Sequence, residues 1–364
     1  MSELRVAVVE QPGAPPVIRL LDRPLLPAGS ALLSVLACAL DAEDARLLSS
    51  PAAYIPGRYF VGAIDSLGSG LTEDATGNRL RPGTPVLVPS VIPCGACALC
   101  RHPPLHATGC LSPRRLGVDA TPTVLSGGLA DAVLVPPGAA IHALPLTMPP
   151  WLATLAEPLA TCLRAFARAQ AIGRFPPGAS VVVIGHDATA LLAVVAAMDL
   201  GAGRVLVMGG PDAPFLRLAR RFGAEATIDS TDVTDPAERI AIARETIGGR
   251  GADLALVRGG AGSAALAVLR EGGTLVTMGA NAPDPVPWSA IRDRQLAILG
   301  ADGFAAADIP VALGMLYRAR TRTDFGALHT RFPFTAPGIA DAFAALTAGA
   351  TPRSLIAQRP DLAG

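Results

Sequence analysis

Residues 180–200 read SVVVIGHDATALLAVVAAMDL and place a strand, a glycine turn and a helix in immediate succession. The run Ser180–Ile184 is short and largely apolar, as expected for a central strand of a parallel sheet. Gly185 permits the tight turn that follows, and Thr189–Leu200 continues as a buried apolar helix. This order of elements is typical of the opening half of a doubly wound α/β unit.

The same alternation of strands and helices extends on both sides of this segment, from about residue 158 to residue 300. Further helices are predicted over Pro158–Ala171, Pro214–Phe222, Pro236–Ile247 and Gly262–Leu269. Further strands are predicted over Val205–Met208, Ala226–Ile228, Asp253–Val257 and Thr274–Met278. Strands and helices that alternate with short connections predict a doubly wound parallel sheet.

The residues before about Pro150 have a different texture, in which short β-type runs are separated by proline and glycine turns. Strands are predicted over Arg5–Val9, Ser30–Cys38, Tyr59–Leu67 and Thr84–Val91. Many short strands between such turns predict a small β-barrel-like domain. The C-terminal region is mixed, with predicted elements at Ile309–Arg318 (helix), His329–Phe332 (strand) and Ala336–Ala348 (helix).

The composition limits the classes of function. The chain has 364 residues, 51% of them hydrophobic, which predicts about two packed domains and excludes a disordered chain. Its 30 basic and 30 acidic residues cancel, so no charge excess favours nucleic acid or a membrane as partner. The 30 basic residues are all arginine, which excludes Schiff-base chemistry on lysine. The sequence has no signal-peptide core and no uninterrupted apolar stretch long enough to span a bilayer, so we expect a cytoplasmic protein.

Four of the six cysteines crowd into one short segment and read C-x2-C-x2-C-x9-C. They are Cys94, Cys97, Cys100 and Cys110. Closely spaced thiolates on an irregular loop are the ligands of a tetrahedral zinc ion, and a site closed by four protein ligands is structural. Four reduced core cysteines are the alternative, and His102 or His106 could replace one thiolate.

The turn after Ser180–Ile184 partly matches the dinucleotide fingerprint Gly-x-Gly-x-x-Gly. Gly185 stands at the first glycine and Ala190 is an accepted substitute for the third. Asp187 replaces the second glycine, where its bulk and charge oppose a pyrophosphate. His186 could contact a phosphate or simply be solvated. The loop alone is therefore a weak signal for NAD or NADP.

Taken together, these motifs give a chain that resembles the medium-chain dehydrogenase/reductase superfamily, the relatives of zinc alcohol dehydrogenase. The segments that carry the resemblance include SVLACALDAED, PGRYFVGAIDSLGSG, the four-cysteine segment, GGLADAVLVPPG, AEPLATCLRAFARAQ, VVVIGHDATALLAV and EGGTLVTMG. The resemblance implies a GroES-like catalytic domain over residues 1–158 and 301–364 around a Rossmann domain over residues 159–300. It also implies hydride exchange between NAD(P) and a small alcohol or carbonyl, in a homodimer or homotetramer.

The zinc-dependent members of this superfamily hold a catalytic zinc with three protein ligands, and this sequence keeps two of them. Cys38 matches the cysteine, with Asp41 matching the acidic residue three positions later, and Glu157 in Glu-Pro-Leu matches the glutamate. The histidine of the Gly-His-Glu motif is replaced by Arg58, followed by Tyr59. Arginine has no lone pair to give to a metal, and its charge repels one. We therefore predict no catalytic zinc, with the Arg58 guanidinium bonded to Glu157, Asp41 or a Cys38 thiolate.

The proton path and the choice of cofactor also depart from the family pattern. Leu40 stands where a relay hydroxyl is expected, so a proton would come from Tyr59 or water, or Arg58 would polarise a carbonyl. A wall position for Tyr59 is the alternative. Strand Val205–Met208 runs into Gly209 and Gly210 instead of an acidic residue, which favours NADP slightly over NAD.

The sequence thus predicts a hydride-transferring oxidoreductase with one structural zinc and no catalytic zinc. Two rivals stay open. One is a pseudoenzyme that has kept the fold for binding. The other is a metal-free lyase or isomerase that uses Tyr59, Glu157 or Asp41 for acid–base chemistry.

Overall fold

The computed structural model of the chain describes residues 3–101, 109–121, 124–210, 213–279 and 287–357. The chain divides into two compact units. The first unit comprises Met1–Glu157, Ala305–Arg320 and Phe325–Gly364, and the second comprises Pro158–Phe304 and Thr321–Asp324. None of the helices in these described ranges is long and apolar enough to cross a membrane.

Short strands dominate the N-terminal part of the chain, and strands alternate with helices from about residue 156 onward. The strands are β1 Glu3–Val8, β2 Val17–Asp22, β3 Ala31–Leu40, β4 Tyr59–Leu67, β5 Pro85–Leu87, β6 Val91–Ile92, β7 Arg114–Arg115, β8 Ala132–Val135, β9 His142–Ala143, β10 Ser180–Ile184, β11 Arg204–Gly209, β12 Ala226–Asp229, β13 Ala252–Arg258, β14 Leu269–Met278, β15 Ala297–Ala301, β16 His329–Pro333 and β17 Arg353–Ala357. The helices are α1 Ala42–Leu47, α2 Ala98–Arg101, α3 Pro150–Ala153, α4 Ala156–Ala171, α5 Ala188–Asp199, α6 Ala213–Arg221, α7 Pro236–Thr246, α8 Gly262–Val268, α9 Trp288–Asp293, α10 Asp308–Ala319 and α11 Ala336–Thr347.

The first unit is built on a seven-stranded sheet in the order β16-β17-β3-β4-β5-β9, with β8 also paired to β3. All of these pairs are antiparallel except β16 with β17. The apolar faces of the strands and of α11 form its main core. The register places Cys38 of β3 opposite Phe60 of β4 and Ile356 of β17, in the middle of the sheet. The predicted GroES-like barrel is confirmed.

The second unit is a six-stranded parallel sheet in the order β12-β11-β10-β13-β14-β15. From the central strand β10 the chain winds outward through β11 and β12, then returns to β13 on the other side of β10. This reversal is the topological switch point of a doubly wound sheet, where ligands bind at the carboxyl ends of the strands. The predicted Rossmann fold is confirmed.

Two of the predicted elements differ in ways that bear on the site. The single strand predicted over Thr84–Val91 is two short strands, β5 and β6, because Pro89 has no N–H to donate to a ladder. The helix predicted from Pro158 begins at Ala156, and the proline is tolerated because N–H groups in a first turn have no intrahelical partner. Helix α1 and strand β17 were not predicted, and both carry residues of the candidate site.

Candidate active site

Helix α1 of the first unit begins with a reciprocal pair of aspartates. Asp41 is its N-cap and accepts the backbone N–H groups of Glu43 and Asp44 at 2.9 and 3.3 Å. The Asp44 carboxylate in turn accepts the N–H of Asp41 at 2.9 Å. This capping box satisfies N–H groups at the helix start and places two carboxylates side by side.

Arg58 binds both carboxylates and forms a buried ion-pair network with them. Its Nη2 donates to Asp41 at 2.7 Å, and its Nε donates to Asp44 at 2.9 Å. The side chains of Arg58 and Asp44 are only 15% and 1% exposed, so little water screens the attraction. Burial alone would lower the pKa of Arg58, but the charges of Asp44 and Asp41 raise it well above its usual value.

The partners of Arg58 differ in part from those predicted. The guanidinium bonds to Asp41, as one of the three proposals had it, but its second partner is Asp44 rather than Glu157 or Cys38. The reason is the capping box, which brings Asp44 beside Asp41. The pattern Asp-x-x-Asp at a helix start could have signalled this partner, had α1 been predicted.

Cys38 lies beneath glycine backbone and is fully buried. A Cβ built at Gly57 would come within 2.7 Å of the Cys38 Sγ, and one at Gly128 within 3.0 Å, so both positions need glycine. Burial raises the pKa of the Cys38 thiol well above its usual value, and the charge of Asp44 adds to this. This raised pKa favours the neutral thiol over the thiolate considered from the sequence, because the opposing charge of Arg353 offsets only part of the rise.

Glu157, the second residue of α4, is held by Ser90 in the loop that follows β5. Its Oε2 accepts the Ser90 N–H at 2.7 Å and its Oε1 accepts the Ser90 Oγ–H at 2.5 Å. Burial raises the pKa of Glu157, and these hydrogen bonds and the nearby charges of Arg58 and Arg353 offset part of the rise. A proton can therefore reside on Glu157 at higher pH than on an exposed glutamate.

Tyr59 lies between the two arginines of the site. The Cζ atoms of Arg58 and Arg353 lie 4.8 and 4.5 Å from the centre of its ring, within the range of cation–π attraction. Arg353, on β17, is fully buried. Burial raises the pKa of Tyr59 above its usual range. Tyr59 thus packs as an aromatic surface between two cations, which agrees with the wall position considered from the sequence.

A half-buried histidine beside this cluster, whose two ring nitrogens are shielded from solvent, makes stability sensitive to acid. His329 on β16 packs edge-on against Trp151, 5.8 Å between ring centres, and burial with the charges of Arg353 and Arg331 lowers its pKa to about 3. An unfolded histidine has a pKa of about 6.5, so only the unfolded state gains the proton between these values. We expect His329 to account for a loss of about 2 kcal/mol in unfolding free energy from pH 7 to pH 5.

Urea unfolding of the wild type and of His329→Leu at both pH values measures this contribution. The variant lacks the titrating ring, so its loss on acidification should be smaller by that amount. Equal losses in the two proteins would contradict the assignment.

The four cysteines of the first unit converge as a metal site would require. The sulfur atoms of Cys94, Cys97, Cys100 and Cys110 all lie within 4.8 Å of one another. Tetrahedral Zn–S bonds of about 2.3 Å place sulfurs about 3.8 Å apart, and the Cys94–Cys100 and Cys97–Cys100 distances are 4.0 and 3.4 Å. Backbone N–H groups of Leu111 and Cys100 lower the pKa of Cys97 to about 6. The donor set fits one zinc ion, while His102 and His106 lie outside the described residues.

The glycine turn of the second unit carries an unexpected ion pair. Gly185 is buried, and a Cβ there would approach the Ala190 Cβ to 3.1 Å, so it fits the first fingerprint glycine. Asp187 is the N-cap of α5 and accepts the Ala190 N–H at 2.8 Å. Its other oxygen accepts Arg258 Nε at 2.7 Å. His186 is exposed.

The end of the second strand of this unit is only partly within the described residues. Gly209 is the last residue of β11 and Gly210 follows it, both half-buried. The next acidic residue in the sequence after this strand is Asp212, which lies outside the described residues. The Nε–H of Arg220, on α6, donates a hydrogen bond to Thr227 Oγ1 and is therefore bound within the second unit.

Comparison with known proteins decides the family. Residues 27–146 match the alcohol dehydrogenase GroES-like domain, and residues 188–318 match the zinc-binding dehydrogenase family. A Mycobacterium tuberculosis protein named as a probable alcohol dehydrogenase is 31% identical over 340 residues, covering 87% of this chain and 88% of the relative. The chain belongs to the zinc-dependent medium-chain dehydrogenase/reductase superfamily.

Solved structures of this fold superpose on nearly the whole chain. An alcohol dehydrogenase from Thermotoga maritima gives a TM-score of 0.88 at 21% identity, covering 98% of this chain and 100% of that one. A protein of Sinorhizobium meliloti solved with NADP gives 0.81 at 23% identity, with the same coverages. At these identities the likeness establishes the shared architecture.

Measured against the medium-chain dehydrogenase pattern, the residues at the catalytic metal position do not fit zinc. Arg58 stands at the position of the histidine ligand, and its guanidinium offers no lone pair to a metal. The Arg58 network places a fixed cation there instead. Ser90, Asp44, Arg258 and Arg353 were missed by sequence reasoning, because each acts through a partner distant in the chain or through an unpredicted element.

Proposed function

We propose that this member of the superfamily is an oxidoreductase that transfers hydride between NAD(P)(H) and a small alcohol, carbonyl or activated double bond without a catalytic zinc. The dehydrogenase relatives support the reaction class. The ion-pair network of Arg58 with Asp41 and Asp44 is the observation that supports a mechanism without a catalytic metal. A guanidinium neutralised by two carboxylates can organise the site but cannot act as a Lewis acid.

The remaining groups are assigned to the two units. The cluster of Cys94, Cys97, Cys100 and Cys110 would hold one structural zinc. The turn at Gly185 and Ala190, together with Gly209 and Gly210, would hold the dinucleotide, NADP in preference to NAD. When bound, this cofactor would supply the hydride to a carbonyl or double bond, or take it up from an alcohol.

Glu157 is the best candidate for the proton that must accompany the hydride. Its raised pKa keeps a population protonated at higher pH than an ordinary glutamate, and Ser90 fixes its orientation. Tyr59 is a weaker acid in its buried position, because burial raises its pKa. A protonated carboxyl also needs no metal to lower its pKa, which suits a site without a Lewis acid.

Reduction of a panel of small aldehydes, ketones and enones by NADPH and NADH tests the proposal. Glu157→Gln is expected to lower kcat by about 10²–10⁴-fold, the usual contribution of a general acid. Glu43→Gln, at a side chain that is 45% exposed, should leave kcat unchanged. Activity should be the same before and after addition of zinc to protein that holds one ion per chain. Activity that rises with a second bound ion would refute the metal-free mechanism.

A second candidate is a pseudoenzyme, or a metal-free lyase or isomerase, with weak or no dinucleotide binding. The Asp187–Arg258 ion pair in the cofactor turn favours it. Fluorescence titration with NADPH and NADH separates the two candidates, since the oxidoreductase requires binding and the second candidate does not.

A further inference from the structure

The Asp187–Arg258 ion pair spans the topological switch point of the second unit. Asp187 follows β10 and Arg258 is the last residue of β13, the two neighbouring strands between which the direction of winding reverses. Asp187 Oδ2 accepts Arg258 Nε at 2.7 Å across this point. Doubly wound sheets bind ligands at the carboxyl ends of the strands on either side of such a reversal. The pair therefore lies where a ligand would bind.

Each member of the pair also approaches the backbone of the second unit. The second oxygen of Asp187 takes the N–H of Ala190 at 2.8 Å, in the first turn of α5. Such an N–H is one that an anionic ligand would otherwise use. The Arg258 guanidinium reaches toward the end of β14, since a Cβ at Gly279 would lie 3.4 Å from Arg258 Nη1.

We propose that this pair, the switch-point latch, is a specificity device in which the Asp187 carboxylate occupies the position of a ligand phosphate. A pyrophosphate-bearing ligand must displace Asp187 from Ala190 and Arg258, and it then takes Arg258 as its own partner. The inference rests on the proposed function in taking such a dinucleotide as ligand. The latch lowers the affinity for pyrophosphate groups relative to ligands without them, because an anion cannot share the site with a carboxylate.

Asp187→Asn is the sharpest change, because asparagine keeps the helix cap and nearly the same shape while it loses the charge. We expect this variant to bind ADP and NADPH about tenfold more tightly than the wild type, measured by calorimetry at one salt concentration. Adenosine, which has no phosphate, should bind both proteins equally. Asp235→Asn is the matched control, since Asp235 is the N-cap of α7, accepts the Ala237 N–H at 2.9 Å, and should leave ADP affinity unchanged.

A double-variant cycle tests the role of Arg258. If Arg258 passes from Asp187 to the phosphate, Arg258→Gln added to Asp187→Asn should lower the ADP affinity by about tenfold and leave the adenosine affinity unchanged. An unchanged ADP affinity when Arg258→Gln is added to Asp187→Asn, or no gain from Asp187→Asn with Arg258 present, overturns the latch. Circular dichroism melting of every variant establishes that the compared proteins are folded.

The outcome for the latch is separable from that for the proposed function. Tight ADP binding by Asp187→Asn without reduction of any carbonyl would uphold the latch and refute the oxidoreductase. Carbonyl reduction by a wild type whose ADP affinity equals that of Asp187→Asn would do the reverse.

Discussion

Replacing Arg58 by methionine is expected to lower the free energy of unfolding by about 3–5 kcal/mol, the usual cost of removing one partner from a buried ion pair. The substitution keeps much of the side-chain volume but leaves Asp44, 1% exposed, and its neighbour Asp41 without their shared cation. Two adjacent carboxylates in a poorly hydrated site repel each other strongly. Urea unfolding at pH 7 measures the loss.

The matched control is Arg46→Met, which breaks an exposed pair with Glu43 one helical turn away on α1. Exposed pairs of this kind contribute at most about 1 kcal/mol. Adding Asp44→Asn to Arg58→Met should recover part of the loss, because it removes one of the stranded charges. Losing the cation raises the pKa of both carboxyls in the folded state, so the deficit should shrink as the pH falls toward their titration. Equal losses for Arg58→Met and Arg46→Met would show that the network stabilises nothing.

The second large effect concerns metal content. Purified protein is expected to hold about one zinc ion per chain, and Cys100→Ser is expected to abolish it, because structural zinc needs all of its ligands. Loss of the ion removes most of the free energy that shapes the segment around the cluster, since binding to such sites contributes about 10–16 kcal/mol in small zinc domains. Plasma emission analysis gives the stoichiometry, and differential scanning calorimetry gives the accompanying fall in Tm.

Cys38→Ser is the discriminating control for this experiment. Cys38 lies outside the four-cysteine cluster, so its replacement should leave the zinc content unchanged. Two ions per chain, one of them lost with Cys38→Ser, would restore a catalytic zinc to the first unit and contradict the account of Arg58.

Most of the fold could be predicted from local sequence patterns, such as apolar periodicity and glycine turns. The apolar run of β10 followed by Gly185 and a buried helix indicates a Rossmann unit from its own periodicity, and strand β4 was predicted with its observed bounds. Elements without such a pattern were missed. Helix α1 has only six residues, and β17 is an ordinary strand whose importance comes from carrying the buried Arg353.

The sequence by itself determined the family, the two-unit architecture, the cysteine cluster and the presence of Arg58 where the family pattern has a histidine. Each of these depends on residue type or short spacing, and chemistry at short range needs no knowledge of the fold. Only the tertiary structure decided which charges meet. Ser90 donates hydrogen bonds to Glu157, which lies 67 residues later in the sequence, and Arg258 donates to Asp187, which lies 71 residues earlier. Such partners are chosen by sheet order and burial, because a charge removed from water must be compensated by whatever group the fold brings beside it.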